Sequence, residues 1–122
     1  MRSRELDRAR HIRDCLKKIE APMLKKYADR LRGAPAEVMD NGLLQSLAFF
    51  RSKKDREYQE MASHLEEWLR SNNLVKAQGG ELVLEALVAL DPVQYRRCSE
   101  EALAWLNWAK RLALAKVMMA GG

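Results

Sequence analysis

Threonine is absent from this chain, and valine and isoleucine number only 6 and 2, so the β-branched residues that favour a pleated surface are nearly missing. The strong helix formers, alanine, leucine, methionine, glutamate, glutamine, lysine and arginine, fill 77 of the 122 positions. A β-sandwich or a parallel α/β sheet is excluded on that ground. A chain of 122 residues with a 48% hydrophobic share can build one core and is too short for two. The expected fold is all-α, a single compact bundle of five to six helices over residues 1–122, with a long first helix and a buried, largely apolar last helix.

Charge is unevenly placed. The net charge is +5, yet residues 1–32 hold 11 basic and 5 acidic side chains, net +6, leaving net −1 for the rest. The front of the chain is therefore an electropositive arm, suited either to phosphate or to an acidic partner, or simply a solvated charged face. The cysteines, Cys15 and Cys98, belong to no CxxC or zinc-ligand pattern, and two reduced thiols are expected. The longest uncharged run, residues 41–50, has ten residues, about half of what a bilayer-spanning helix needs. No signal-peptide pattern opens the chain, and a cytoplasmic protein is the expectation.

Along the chain, Leu6, Ala9, Ile12, Leu16, Ile19, Met23, Tyr27 and Leu31 recur at steps of three or four and predict one helix over residues 3–31, kinked at Pro22. Arg10, Arg13, Lys17, Lys18, Lys25 and Arg32 fall off that stripe on one broad sector, interrupted by Asp7, Asp14 and Asp29. Gly33-Ala34-Pro35 reads as a turn opening a second helix over 35–52, with Gly42 inside it marking close packing or a bend. Asp55 is placed to cap a third helix to Ser71, and a short fourth helix runs from Glu81 to Leu90. Between them, Ser71-Asn72-Asn73 and Gln78-Gly79-Gly80 bracket the stretch expected to be least ordered, and Gly121-Gly122 is expected to fray. Asp91-Pro92 stops the fourth helix and opens the next turn. The last helix is expected over 99–118 from a Ser99 cap, apolar on almost every side, as core alone or as core plus an assembly surface.

No catalytic constellation stands out. His11 and His64 lie on different predicted helices with no HxH, HExxH or HD pair, and both read as surface or boundary residues. Glu66-Glu67 and Glu100-Glu101 are adjacent pairs that diverge on a helix and read as solvated charge. Gly79-Gly80 lacks the following Lys-Ser/Thr of a phosphate loop. No cofactor and no metal site is expected, and no enzymatic activity.

As an ordered string, the chain resembles the small α-helical subunit of the Cmr-type, or type III-B, CRISPR effector complex of the RAMP module. The front of the pattern is Lys26-Tyr27, Pro35, Asn41-Gly42-Leu43, Leu47-Ala48-Phe49 and Ser52-Lys53. Its back is Tyr95-Arg96, Ser99, Glu101-Ala102-Leu103, Trp108 and Lys110-Arg111-x-Ala113, with Leu112 where the family is expected to carry phenylalanine. The resemblance implies a noncatalytic part of a ribonucleoprotein that uses CRISPR RNA to find target RNA in antiviral defence. It further implies copies stacked on one another and on the large Cas10-type subunit, beside the backbone subunits. Base pairing would then read sequence, leaving the protein to recognise backbone charge and duplex shape.

Within that reading Tyr27, Leu43, Phe49, Trp68, Leu103 and Trp108 are expected in the core, with Glu101 in the first turn behind the Ser99 cap. The RNA-binding candidates are Arg10, Arg13, Lys17, Lys18 and Lys25, followed by Lys53, Lys54, Lys110 and Arg111, because lysine and arginine neutralise phosphate without reading bases. The competing reading is a pure protein–protein scaffold whose basic face meets an acidic partner.

Overall fold

Pro22 divides what the apolar stripe joins. In the computed structural model, which describes residues 3–77 and 81–121, helix α1 covers Arg4–Lys17 and helix α2 covers Ala21–Asn41. The Ser3 hydroxyl caps α1 by accepting from the Leu6 amide, and Glu5 and Asp7 in its first turn meet the positive end of the helix dipole. After Lys18 the chain turns, Glu20 is extended, and Pro22 sits in the first turn of α2, where its missing N–H has no intrahelical partner to lose. The single kinked helix expected over 3–31 is thus two separate helices.

The expected turn at Gly33-Ala34-Pro35 is also absent, because α2 runs straight through it. Proline inside a helix costs about 3 kcal/mol. Against that, Leu31, Ala34 and Val38 are buried and continue the stripe of Leu24, Tyr27 and Ala28 along the packing of α2 on its neighbours. Burying a side chain such as leucine or valine contributes about 1.5–3 kcal/mol, so two of them offset the proline.

The break falls instead at Gly42, which has φ +86° and ψ 160°, a region essentially restricted to glycine. Helix α3 (Leu43–Ser52) begins there at a new angle, its Leu44 amide donating to the Tyr95 hydroxyl at 2.9 Å. A Cβ at position 42 would lie 3.6 Å from that oxygen, which is ordinary contact, so backbone conformation and not space demands the glycine. Gly42→Ala is expected to cost about 1–3 kcal/mol in urea unfolding with an unchanged m-value; equal stability would show that the junction relaxes.

Helix α4 (Arg56–Ser71) matches its expected span, although Asp55 at its start makes no side-chain cap and pairs with Arg30 at 3.2 Å. Helix α5 (Val83–Val88) is shorter than the expected 81–90. Gln78-Gly79-Gly80 and Gly122 lie outside the described residues. Asp91-Pro92 opens the last helix itself, α6 (Pro92–Met119), through a capping box in which the Asp91 side chain accepts from the Gln94 amide and the Gln94 side chain accepts from the Asp91 amide. Ser99 is therefore an interior residue and not the cap.

With α1, α2 and α4 packed on it, α6 is the axis of the fold, and the described residues form helices and no strand. Cys98, Ala102, Trp105, Leu106, Ala109 and Ala113 are its buried stripe. A helix of 28 residues is about 42 Å long, more than its shorter neighbours cover. Leu103, Trp108, Leu112, Leu114 and Val117 are accordingly only half-buried, and Met118 and Met119 are exposed. Tyr27, Leu43 and Trp68 are core as expected, whereas Phe49 is 38% exposed.

Candidate nucleic-acid interface

Exposed lysines and arginines can meet phosphate only where carboxylates have not already claimed them. Arg10, Arg13, Lys17 and Lys18 at α1 and Lys25 on α2 are all exposed. Arg10 is held by Asp7 at 3.4 Å and Arg13 by its neighbour Asp14 at 3.1 Å, whereas Lys17, Lys18 and Lys25 form no ion pair among the described residues. The turn after α1 divides the sector. Lys18 lines a hollow with Ile19, Glu20, Met23, Arg56 and Glu60, two carboxylates among them although neither forms an ion pair with Lys18, while Arg13 and Lys17 border a separate groove with Leu112 and Lys116 of α6.

The secondary candidates stand apart from that groove. Lys53 and Lys54 follow the end of α3, and the Lys53 ammonium lies 4.7 Å over the ring of the exposed Phe49, a cation–π contact. On α6, Lys110 is half-buried and Arg111 exposed. Lys110 and Leu112, two residues apart, point about 160° from one another, which puts Lys110 on the opposite flank from the groove. Sequence reasoning missed Lys116, whose ammonium donates to the Leu16 carbonyl at 3.2 Å. Its four-residue spacing from Leu112 is legible, but the helix facing it is not.

Two carboxylates expected to be solvated, Glu101 and Glu66, are structural, and so is Glu57. Glu101 lies mid-helix and accepts from Arg8 at 2.9 Å and from the Trp68 indole at 3.1 Å; those bonds hold its carboxyl below the usual range despite burial. Glu66 is buried and accepts from Arg51 at 3.0 Å, and Glu57 is buried against Arg30 at 3.2 Å. Glu67 and Glu100 remain exposed as expected. Arg8, Arg30 and Arg51 therefore tie helices together.

His64 is buried and not a boundary residue: its Nδ1 lies 2.8 Å from the Tyr27 hydroxyl. His11 is half-buried and accepts from the Trp105 indole at 3.0 Å through Nδ1, leaving Nε2 facing Glu67 at 3.2 Å. The indole is a donor only, which fixes Nδ1 of His11 as the unprotonated nitrogen. Burial pushes the Cys15 thiol up to about 12, so it is not a thiolate nucleophile at neutral pH. Both cysteines are free and buried, and no group of three or more His, Cys, Asp or Glu among the described residues is arranged to hold a metal ion. No helix of the described residues is long and apolar enough to cross a membrane.

His64 also sets a pH dependence. Burial lowers its pKa from the ordinary value, with Glu60 acting in the opposite sense. The unfolded chain, with a histidine near about 6.5, then binds the proton more readily than the folded one. The contribution is complete above that value and is lost as pH falls through it towards the folded pKa. Urea midpoints are expected to drop between pH 8 and 5 in the native protein, and to drop less in His64→Gln.

The two halves of the residue pattern meet in space. Tyr95 of the back half reaches the Asn41-Gly42-Leu43 junction of the front half, and Glu101 ties the back half to Arg8 of α1 and Trp68 of α4. A family model described as CRISPR-associated protein (Cas_Cmr5) matches residues 4–116, from the start of α1 into the last turn of α6. The X-ray crystal structure of a CRISPR-associated Cmr5 family protein from Thermus thermophilus has the same fold. Its TM-score is 0.73 at 26% sequence identity, covering 94% of this chain and 97% of that one. Since the match spans the helices that Gly42, Tyr95 and Glu101 lock together, the chain belongs to the Cas_Cmr5 family and is a CRISPR-associated subunit of the Cmr type.

Proposed function

We propose that this chain is a noncatalytic structural subunit of the RNA-guided Cmr effector, stacking with copies of itself and with the large Cas10-type subunit, and contacting the backbone of guide and target RNA through its basic faces. Its setting is antiviral defence in the cytoplasm. Family membership supports the assembly, and the observation that carries the RNA contact is the exposure of Lys18 and Lys25 with no ion pair among the described residues. Such groups neutralise phosphate without reading bases, which is what a complex specified by base pairing requires of its protein.

Anisotropy titration of labelled single-stranded RNA tests this. The logarithm of affinity is expected to fall with the logarithm of salt at a slope of about −0.7 per phosphate contact, with little dependence on sequence. Lys18→Glu together with Lys25→Glu is expected to remove about two such contacts and leave the helical circular-dichroism signal intact. Salt-insensitive or absent binding would remove the RNA contact. Loss of incorporation with unchanged RNA affinity would favour the scaffold reading, and RNA cleavage that depends on a carboxylate of this chain would overturn the noncatalytic assignment.

A further inference from the structure

The groove between α1 and α6 has a composition that phosphate contact does not explain. Its floor is Leu16 and Leu112, its rim is Arg13, Lys17 and Lys116, its volume is about 280 Å³, and no carboxylate lines it. Its exposed lining is almost wholly apolar. An RNA backbone asks for cations and water and offers nothing to an aliphatic floor. A small-molecule site would add convergent polar groups inside the cavity, and none is present among these residues.

We propose that this groove docks an acidic amphipathic helix of another subunit of the effector, with one apolar side chain seated on Leu16 and Leu112 and flanking carboxylates on Arg13, Lys17 and Lys116. Charge complementarity selects that occupant. Three cations surround an apolar slot, so a helix with an apolar anchor and acidic residues one turn away on either side fits both chemistries at once. The rim is partly committed already: Arg13 bonds Asp14, and Lys116 donates to the Leu16 carbonyl at the end of α1. The second contact holds Lys116 at the groove wall and leaves its ammonium two further donors. Lys17 has no ion-pair partner among the described residues and supplies the uncompensated charge. The assignment rests on membership of the effector. It divides the basic sector, giving Arg13 and Lys17 to protein and Lys18 and Lys25 to RNA.

Zero-length carbodiimide cross-linking of the assembled effector tests it, since that reagent joins a lysine amine directly to a carboxylate. Cross-links are expected from Lys17 and Lys116 to aspartate or glutamate of a helical segment in another subunit, with an apolar residue within a turn of the linked carboxylate. Arg13→Glu with Lys17→Glu, two exposed positions off the apolar stripe, is expected to lower incorporation about tenfold or more while RNA affinity of the isolated chain changes little. No cross-link from either lysine, or cross-links only to a second copy of this chain, would overturn the assignment. Lost RNA affinity with normal incorporation would give the groove to RNA, overturning this proposal and leaving the proposed function standing. Lowered incorporation of the double reversal with no RNA binding by any variant would do the reverse, sustaining the groove and removing the RNA contact.

Discussion

Replacing Trp105 by alanine is expected to cost about 3–5 kcal/mol, the range for removing a large aromatic from a packed interior. Trp105 is 0% exposed at the centre of the α6 stripe and lies against His11, with ring centroids 5.9 Å apart. Truncation leaves a cavity and also strips His11 Nδ1 of its donor. Domains of this size are stable by about 5–15 kcal/mol, so the loss is between about a fifth and the whole of that stability. Trp105→Phe separates the two contributions: it keeps most of the packing and loses the hydrogen bond, for about 1–3 kcal/mol. Urea unfolding followed by circular dichroism measures both, and an alanine variant within about 1 kcal/mol of the native protein would show that Trp105 is not central to the core.

Glu101→Ala is expected to cost about 3 kcal/mol, near the lower end for breaking a buried ion pair. The Arg8 and Glu101 side chains are only 18% and 11% exposed, so Arg8 is left largely desolvated without its partner, and the Trp68 indole loses its acceptor. Glu101→Gln should be milder, since the amide oxygen still accepts one bond while the amide group introduces donors that face Arg8. A double-mutant cycle with Arg8→Ala isolates the pair; a coupling energy near zero would assign the cost of Glu101→Ala to Trp68 and packing instead.

How much of this was legible in the sequence depends on the range of the interaction concerned. The all-helical class followed from composition, and the span of α4 followed from the spacing of Met61, Leu65, Trp68 and Leu69. The residue pattern pointed to the family from side chains whose spatial pairing it could not reveal. Helix boundaries failed where Pro35 and Ser99 were read by local rule alone, whereas Asp91-Pro92, read by the same rule, does cap and open a helix. Pro35 marked a turn by propensity, yet it lies inside α2 because the flanking apolar residues are buried against other helices. Ser99 has the residue type of a cap, but Asp91 with Gln94 capped the helix two turns earlier.

For the candidate site, the residue types were visible and their grouping was not. The basic excess of residues 1–32 is a property of the sequence, and so is the helical periodicity that leaves Arg13, Lys17 and Lys18 off the apolar stripe. Arg10 and Arg13 are taken by Asp7 and Asp14 on their own helix, whereas Arg8 is committed by the tertiary structure, because Arg8 and Glu101 are 93 positions apart and become partners only when α1 lies along α6. The same docking sets Lys116 beside Leu16, 100 positions away, and creates the groove with Arg13 and Lys17 on its rim. Short-range preferences fix backbone class and the face each side chain takes on its own helix. Contacts between distant residues arise from how those faces pack, and that packing separated structural charges from those open to RNA or protein.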